Sequence, residues 1–151
     1  MAESYLALQV IMMPKDANPV PTLMPGVGQF PLFGTIFGGV ILSYIDQAGA
    51  IGAIHEVVQA GGELPRLVTV ALNRVEFKQP VLVGDVVRFR TQLVRIGRTS
   101  ITINVQVEAE RGLAVHQVTE AEIVYVGIDP QSPQRRPKPL LPTPPDAINP
   151  G

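Results

Sequence analysis

The sequence predicts an α+β domain in which one long central helix is wrapped by a five-stranded antiparallel sheet. Three observations carry this expectation. From Phe37 to about Gln59 the chain has no proline and is apolar nearly all round, as a helix enclosed by a sheet must be. After Gly61 and Gly62 the pattern switches to period two in four successive runs. The cleanest sets Ile101, Ile103, Val105 and Val107 against Thr102, Asn104, Gln106 and Glu108. The connections between these runs are short, which favours antiparallel neighbours, because a parallel crossover needs roughly a dozen residues or more.

Taken in order, Tyr5 to Met13 is apolar enough to pair as a strand before Pro14 stops it. Residues 14–34 hold Pro14, Pro19, Pro21, Pro25 and Pro31 with Gly26, Gly28 and Gly34. That density excludes a helix or an inner strand and marks a candidate lid or pocket wall. In the helix, Gly39, Ser43, Asp46, Ala50 and Ala53 form a stripe of small residues with one carboxylate in its middle. Ile41, Tyr44, Ala48 and Ile51 form a bulkier stripe beside it. Gly49 and Gly52 each weaken such a helix by roughly 1 kcal/mol relative to Ala. The four strands are expected near 66–78, 85–95, 99–110 and 113–127, separated by Pro80 to Gly84, by a turn around Gly97, and by Arg111 and Gly112. The domain then covers 1–129, and the proline-rich tail 130–151 should be extended or partly disordered, outside the core. One helix cannot cover both faces of such a sheet, so a homo-oligomer, a dimer or a higher assembly of dimers, is predicted.

Composition narrows the functions. The 151 residues, 46% hydrophobic and 17% charged, suit one packed domain. With 12 basic against 13 acidic residues there is no field to draw the chain onto nucleic acid or an anionic membrane. Without cysteine there is neither a disulfide framework nor a thiolate metal site. No leader pattern opens the chain, and Ser43 and Asp46 interrupt its longest apolar stretch; a cytoplasmic location is the expectation. His55 and His116 make neither a metal nor a triad spacing, so no metal is expected.

Asp46 stands out, because a carboxylate among Ser43, Ile45, Ala50 and Ile51 is costly unless paired or used. It is either a buried Asp bonded to a neighbouring strand or a general base or nucleophile. The segment Gly34-Thr35-Ile36-Phe37-Gly38-Gly39, followed by Asp46 seven residues after the glycine pair, resembles the signature of the hotdog-fold acyl-CoA thioesterases. Leu67 to Ala71, Phe77 to Val87 and Gly97 to Ser100 look like that family's later blocks in the right order, so the resemblance extends over residues 5–128. It implies hydrolysis of acyl-CoA thioesters, with CoA as part of substrate and product and no cofactor.

On this resemblance Asp46 attacks the thioester or activates water. A backbone N–H of Gly38 or Gly39, unpaired at the positive end of the helix, polarises the carbonyl. Both groups stand in one short stretch of sequence. The family often carries an Asn three residues before the glycine matched by Gly34, and here that position is Pro31. Met13 to Asn18 looks like the segment that bears it, which makes Asn18 the candidate and implies an insertion of about a dozen residues after it. Thr69 matches a position near the reacting group, often of the neighbouring subunit, and its hydroxyl would orient water. Arg95, Arg98, Thr99 and Ser100 surround a turn and either bind the phosphates of CoA or form a solvated hairpin end. Tyr44 and Phe33 are candidate pocket walls. Two other functions fit the same scaffold: an acyl-CoA binding or sensing module without catalysis, and a dehydratase or hydratase, which would need a His near Phe37 to Asp46 where none stands.

Overall fold

The computed structural model describes residues 3–19 and 34–142. Most of the candidate lid, with Pro31 and Phe33, and the end of the tail lie outside them. The elements are β1 (Tyr5–Ile11), a 3-10 turn (Pro14–Asp16), α1 (Gly38–Gln59), β2 (Leu67–Asn73), β3 (Val86–Ile96), β4 (Ser100–Arg111) and β5 (Ala114–Gly127). All five strands pair antiparallel in one sheet, in the order β1-β3-β4-β5-β2.

The pleat decides which face of the sheet receives the helix. Along β4, Ile101, Ile103, Val105, Val107 and Ala109 are fully buried, and they meet Ile41, Ile45, Ala48, Ala53 and Val57 of α1 in one core. The outer face is polar. There Arg90 pairs with Glu108 at 3.1 Å, and Arg88 pairs with Glu108 and Glu110. The sheet therefore needs no second cover on that side. What remains open is an edge: β2 is an outermost strand, and it carries Val70 55% exposed and Leu72 40% exposed.

Four expectations change. The first strand after the helix ends at Asn73, not 78, because Arg74 turns into the left-handed region at φ +50° and breaks the ladder there, although Lys78 N–H still bonds to Val118 O of β5 at 2.8 Å. β2 pairs with β5 rather than with its successor β3. Within the protomer α1 is buried on one face and not on most, since Gly39, Ser43, Gln47, Ile51 and Val58 are exposed. The buried line also differs from the expected stripes. It runs through Gly49 and Gly52, where a Cβ would overlap the Tyr125 hydroxyl and the Thr91 side chain; these glycines let helix and sheet approach closely. Finally, the proline-rich segment is extended but does not leave the core. Ile128 pairs with Pro137, Leu140 N–H bonds to Arg98 O at 3.1 Å, and Leu140 is only 5% exposed. A proline run lacks N–H donors, yet its few non-proline residues suffice to pin it to the end of the sheet.

Candidate active site

Asp46 lies two turns into α1, half-buried, and faces the end of the sheet where β2 and β5 run together. Thr69 Oγ1 donates to Asp46 Oδ1 at 2.8 Å. The Tyr125 hydroxyl lies 2.7 Å from the main-chain oxygen of Asp46 and 3.1 Å from the same Oδ1. Among the described residues Oδ2 accepts no hydrogen bond. The carboxylate is thus fixed by one oxygen and open at the other, which is the arrangement a general base or nucleophile needs.

Register explains the convergence. Thr69, Tyr125 and Ile101 stand side by side across β2, β5 and β4, and the first two of that row meet Asp46. Tyr125 is 1% exposed. Burial pushes its phenol well above the ordinary value, reinforced by the charge of Asp46 and by their hydrogen bond, and it stays a neutral donor. The sequence reading missed Tyr125. The available signal was a tyrosine at an inward position of a strand, which must find a partner for its hydroxyl.

The helix start forms a second centre. Gly38 and Gly39 open α1 behind Phe37, whose own N–H bonds to Asp16 O at 2.9 Å, and the first turn of a helix leaves its N–H groups without intrahelical acceptors. Asn18 belongs here. Its Nδ2 donates to Thr35 Oγ1 at 3.0 Å and approaches Ile36 O at 3.4 Å. A cleft bounded by Asn18, Gly38, Ile41, Phe77 and Val81 opens beside it. Phe37, Gly39, Val40, Ser43, Tyr44 and Gln47 border another opening on the outer side of the helix, and Tyr44 leans on Phe89 with ring centroids 5.8 Å apart.

The candidates therefore separate into two half-sites, Asp46 with Thr69 and Gly38, Gly39 with Asn18. Closeness in sequence does not bring them together. Seven residues at 1.5 Å rise put Asp46 about 10 Å along the axis from Gly39, and one carbonyl cannot touch both. Thr69, in turn, reaches the Asp46 of its own chain.

The Arg98-to-Ser100 turn begins beside that row, with Thr99 O accepting from Gly127 N–H at 2.8 Å. Arg95 and Arg98 are exposed, while Thr99 and Ser100 are half-buried. The histidines take no part. His55 stacks on Tyr5 at 3.9 Å, and His116 lies within electrostatic range of Asp85. Among the described residues no three His, Cys, Asp or Glu converge on a metal position, and no helix is long and apolar enough to cross a membrane.

Comparison with known proteins places this geometry. The profile of the Thioesterase superfamily matches residues 33–116. The acyl-CoA thioester hydrolase YciA of Salmonella typhimurium is 34% identical over 143 residues, 91% of this chain and 91% of that one. Its counterpart of the same name in Escherichia coli is 33% identical over 86% of this chain and 88% of its own. A hexameric hotdog fold thioesterase of Campylobacter jejuni superposes with a TM-score of 0.69 at 34% identity, covering 89% of this chain and 88% of that one. A hexameric thioesterase from Yersinia pestis gives 0.70 at 32%, covering 95% and 99%. One long helix in a five-stranded antiparallel sheet is the hotdog architecture, and with a profile across more than half of its length the chain belongs to the thioesterase superfamily.

Proposed function

We propose that this chain hydrolyses acyl-CoA thioesters to a free acid and CoA, with Asp46 as general base or nucleophile. The observation that carries this reading is the half-held carboxylate, Oδ1 bonded to Thr69 and Oδ2 open. As a base, Oδ2 takes a proton from water while the water oxygen bonds to the carbonyl carbon. As a nucleophile it bonds to that carbon itself, and once the sulfur has left, water opens the resulting anhydride to release the free acid and restore the Asp46 carboxylate. Either way the C–S bond breaks, the sulfur leaves with the electron pair, and a proton returns to it from the carboxyl or solvent.

The oxyanion donors come from a second protomer. The 10 Å offset along one helix is resolved when an isologous dimer sets two α1 helices antiparallel, so that Gly38 and Gly39 of one face Asp46 of the other. The open β2 edge and the exposed face of α1 supply surface for that contact. Asn18 then supports the oxyanion half, and Arg95, Arg98, Thr99 and Ser100 meet the phosphates of CoA outside it. The similar thioesterases of Campylobacter jejuni and Yersinia pestis are hexameric, and a hexamer built from such dimers is the assembly we propose here.

The test is a panel of acyl-CoAs followed by release of free thiol. Asp46→Asn should remain a folded oligomer and lose about two orders of magnitude or more in turnover. Parental turnover by that variant would remove Asp46 from the mechanism. Binding of acyl-CoA without thiol release by the parent would favour a binding or sensing module.

A further inference from the structure

The Tyr125 hydroxyl has a position that packing alone does not require. A phenol carries one proton, and here it has two acceptors on one residue, Asp46 O at 2.7 Å and Asp46 Oδ1 at 3.1 Å. Both lie within hydrogen-bonding range, and a small reorientation of the O–H serves either. The hydroxyl reaches the helix only because residue 49 is glycine; a Cβ there would overlap it and the tip of Ile123. Close approach of α1 to β5 at this point therefore delivers a buried donor to the carboxylate. Thr69 donates to the same Oδ1.

We infer that Tyr125 is a positioning residue for the hydrolysis, whose single proton follows the charge of Asp46 and reserves Oδ2 as the reacting oxygen. This rests on the reading of Asp46 as the catalytic carboxylate. When Asp46 is ionised, the proton points at Oδ1 and, with that of Thr69, stabilises the anion. When Oδ2 has gained a proton or an acyl group, Oδ1 is a poorer acceptor and the phenol turns to the main-chain oxygen. Tyr125 thus keeps a partner at each stage and is never left unsatisfied in the core. No bond to Tyr125 forms or breaks. Two donors on one oxygen also restrict rotation of the carboxylate and leave Oδ2 as the oxygen without a donor among the described residues.

The experiment compares pH profiles of the full-length oligomer on one acyl-CoA. Only the ionised carboxylate works as base or nucleophile, so the acid limb of kcat/KM reports its ionisation. Tyr125→Phe keeps the ring and removes the donor. It should lower kcat roughly tenfold, leave KM within about twofold, and move the acid limb to higher pH by about half a unit or more. Replacing the three tyrosines by 3-fluorotyrosine makes the phenol a stronger donor and should move the limb the other way, which keeps the test available should Tyr125→Phe not fold. The Thr69→Ala and Tyr125→Phe losses should not add, because both act on Oδ1.

An unmoved limb in Tyr125→Phe or in the fluorinated protein overturns the inference, and so does a loss of kcat without that movement, which is the mark of a packing role. Failure of the underlying reading looks different: Asp46→Asn then keeps its turnover whatever Tyr125 does.

Discussion

Asp85 and Asp46 both lie against the core, and their partners separate their tasks. Asp85 is 2% exposed and saturated: Arg111 holds both oxygens, at 2.9 and 2.8 Å, and Leu82 N–H bonds to Oδ2 at 2.9 Å. Asp46 keeps one oxygen open. Burial would raise the pKa of Asp85, but the Arg111 and Leu82 hydrogen bonds and the charges of Arg111 and His116 together outweigh it and hold the carboxyl below its ordinary 3.8. The folded value is therefore depressed, so this stabilisation is complete above the unfolded value and is lost as the pH falls through the folded one. Asp85→Asn should be less stable than the parent at neutral pH and lose less on acidification below about pH 4, read by urea melts across the pH range. A variant with the parental pH slope would take Asp85 out of the acid response. Asp46 was legible from the sequence because a lone carboxylate in an apolar helix needs a reason. Tyr125 was not, because nothing in its neighbours along the chain says that a helix glycine lies opposite.

At the scale of elements, α1 spans Gly38–Gln59, within a residue of the limits expected from the proline-free apolar stretch starting at Phe37. Its glycines carry the opposite meaning from their propensity. Ala in place of Gly52 would improve the isolated helix by roughly 1 kcal/mol, yet its Cβ would run into Thr91, and overpacking of that kind costs about 1–3 kcal/mol. Gly52→Ala should thus be net destabilising in urea unfolding, and a rise in stability would show that helix and sheet can separate there without cost. The strands after Gly84 match their expected limits within a residue or so, because alternation is strongest where one face is core and the other is charged. β2 matches less well. As an edge strand it is held on one side only, so a single left-handed residue, Arg74, ends it.

For the whole molecule the decisive quantity is the separation of the two half-sites. If each site takes Asp46 from one protomer and the helix start from the other, two inactive variants can repair each other. Gly39→Val, whose side chain would crowd Phe37 from 3.0 Å outward, should fold with little change in stability and lose most turnover. Mixed with Asp46→Asn after dissociation and reassociation, it forms heterodimers in which one site carries both lesions and the other neither. Recovery toward roughly a quarter of parental activity, half of the dimers with half of their sites, is the expected outcome. No recovery, with exchange verified by mass, would place a complete site within one chain.

What the sequence by itself determined is what local chemistry can express: a long apolar helix, alternating strands, a glycine pair at the helix start and a carboxylate two turns on. Helical rise, pleat and desolvation act on neighbours along the chain and need no knowledge of the rest. Only the tertiary structure decided that β2 pairs with β5, that Leu140 of the tail is core, that Gly49 admits the Tyr125 hydroxyl, and that Thr69 meets Asp46 while Gly39 does not. These depend on which distant segments come within a hydrogen bond's length. Strand register and interlayer distance set that, and no stretch of the chain encodes either alone.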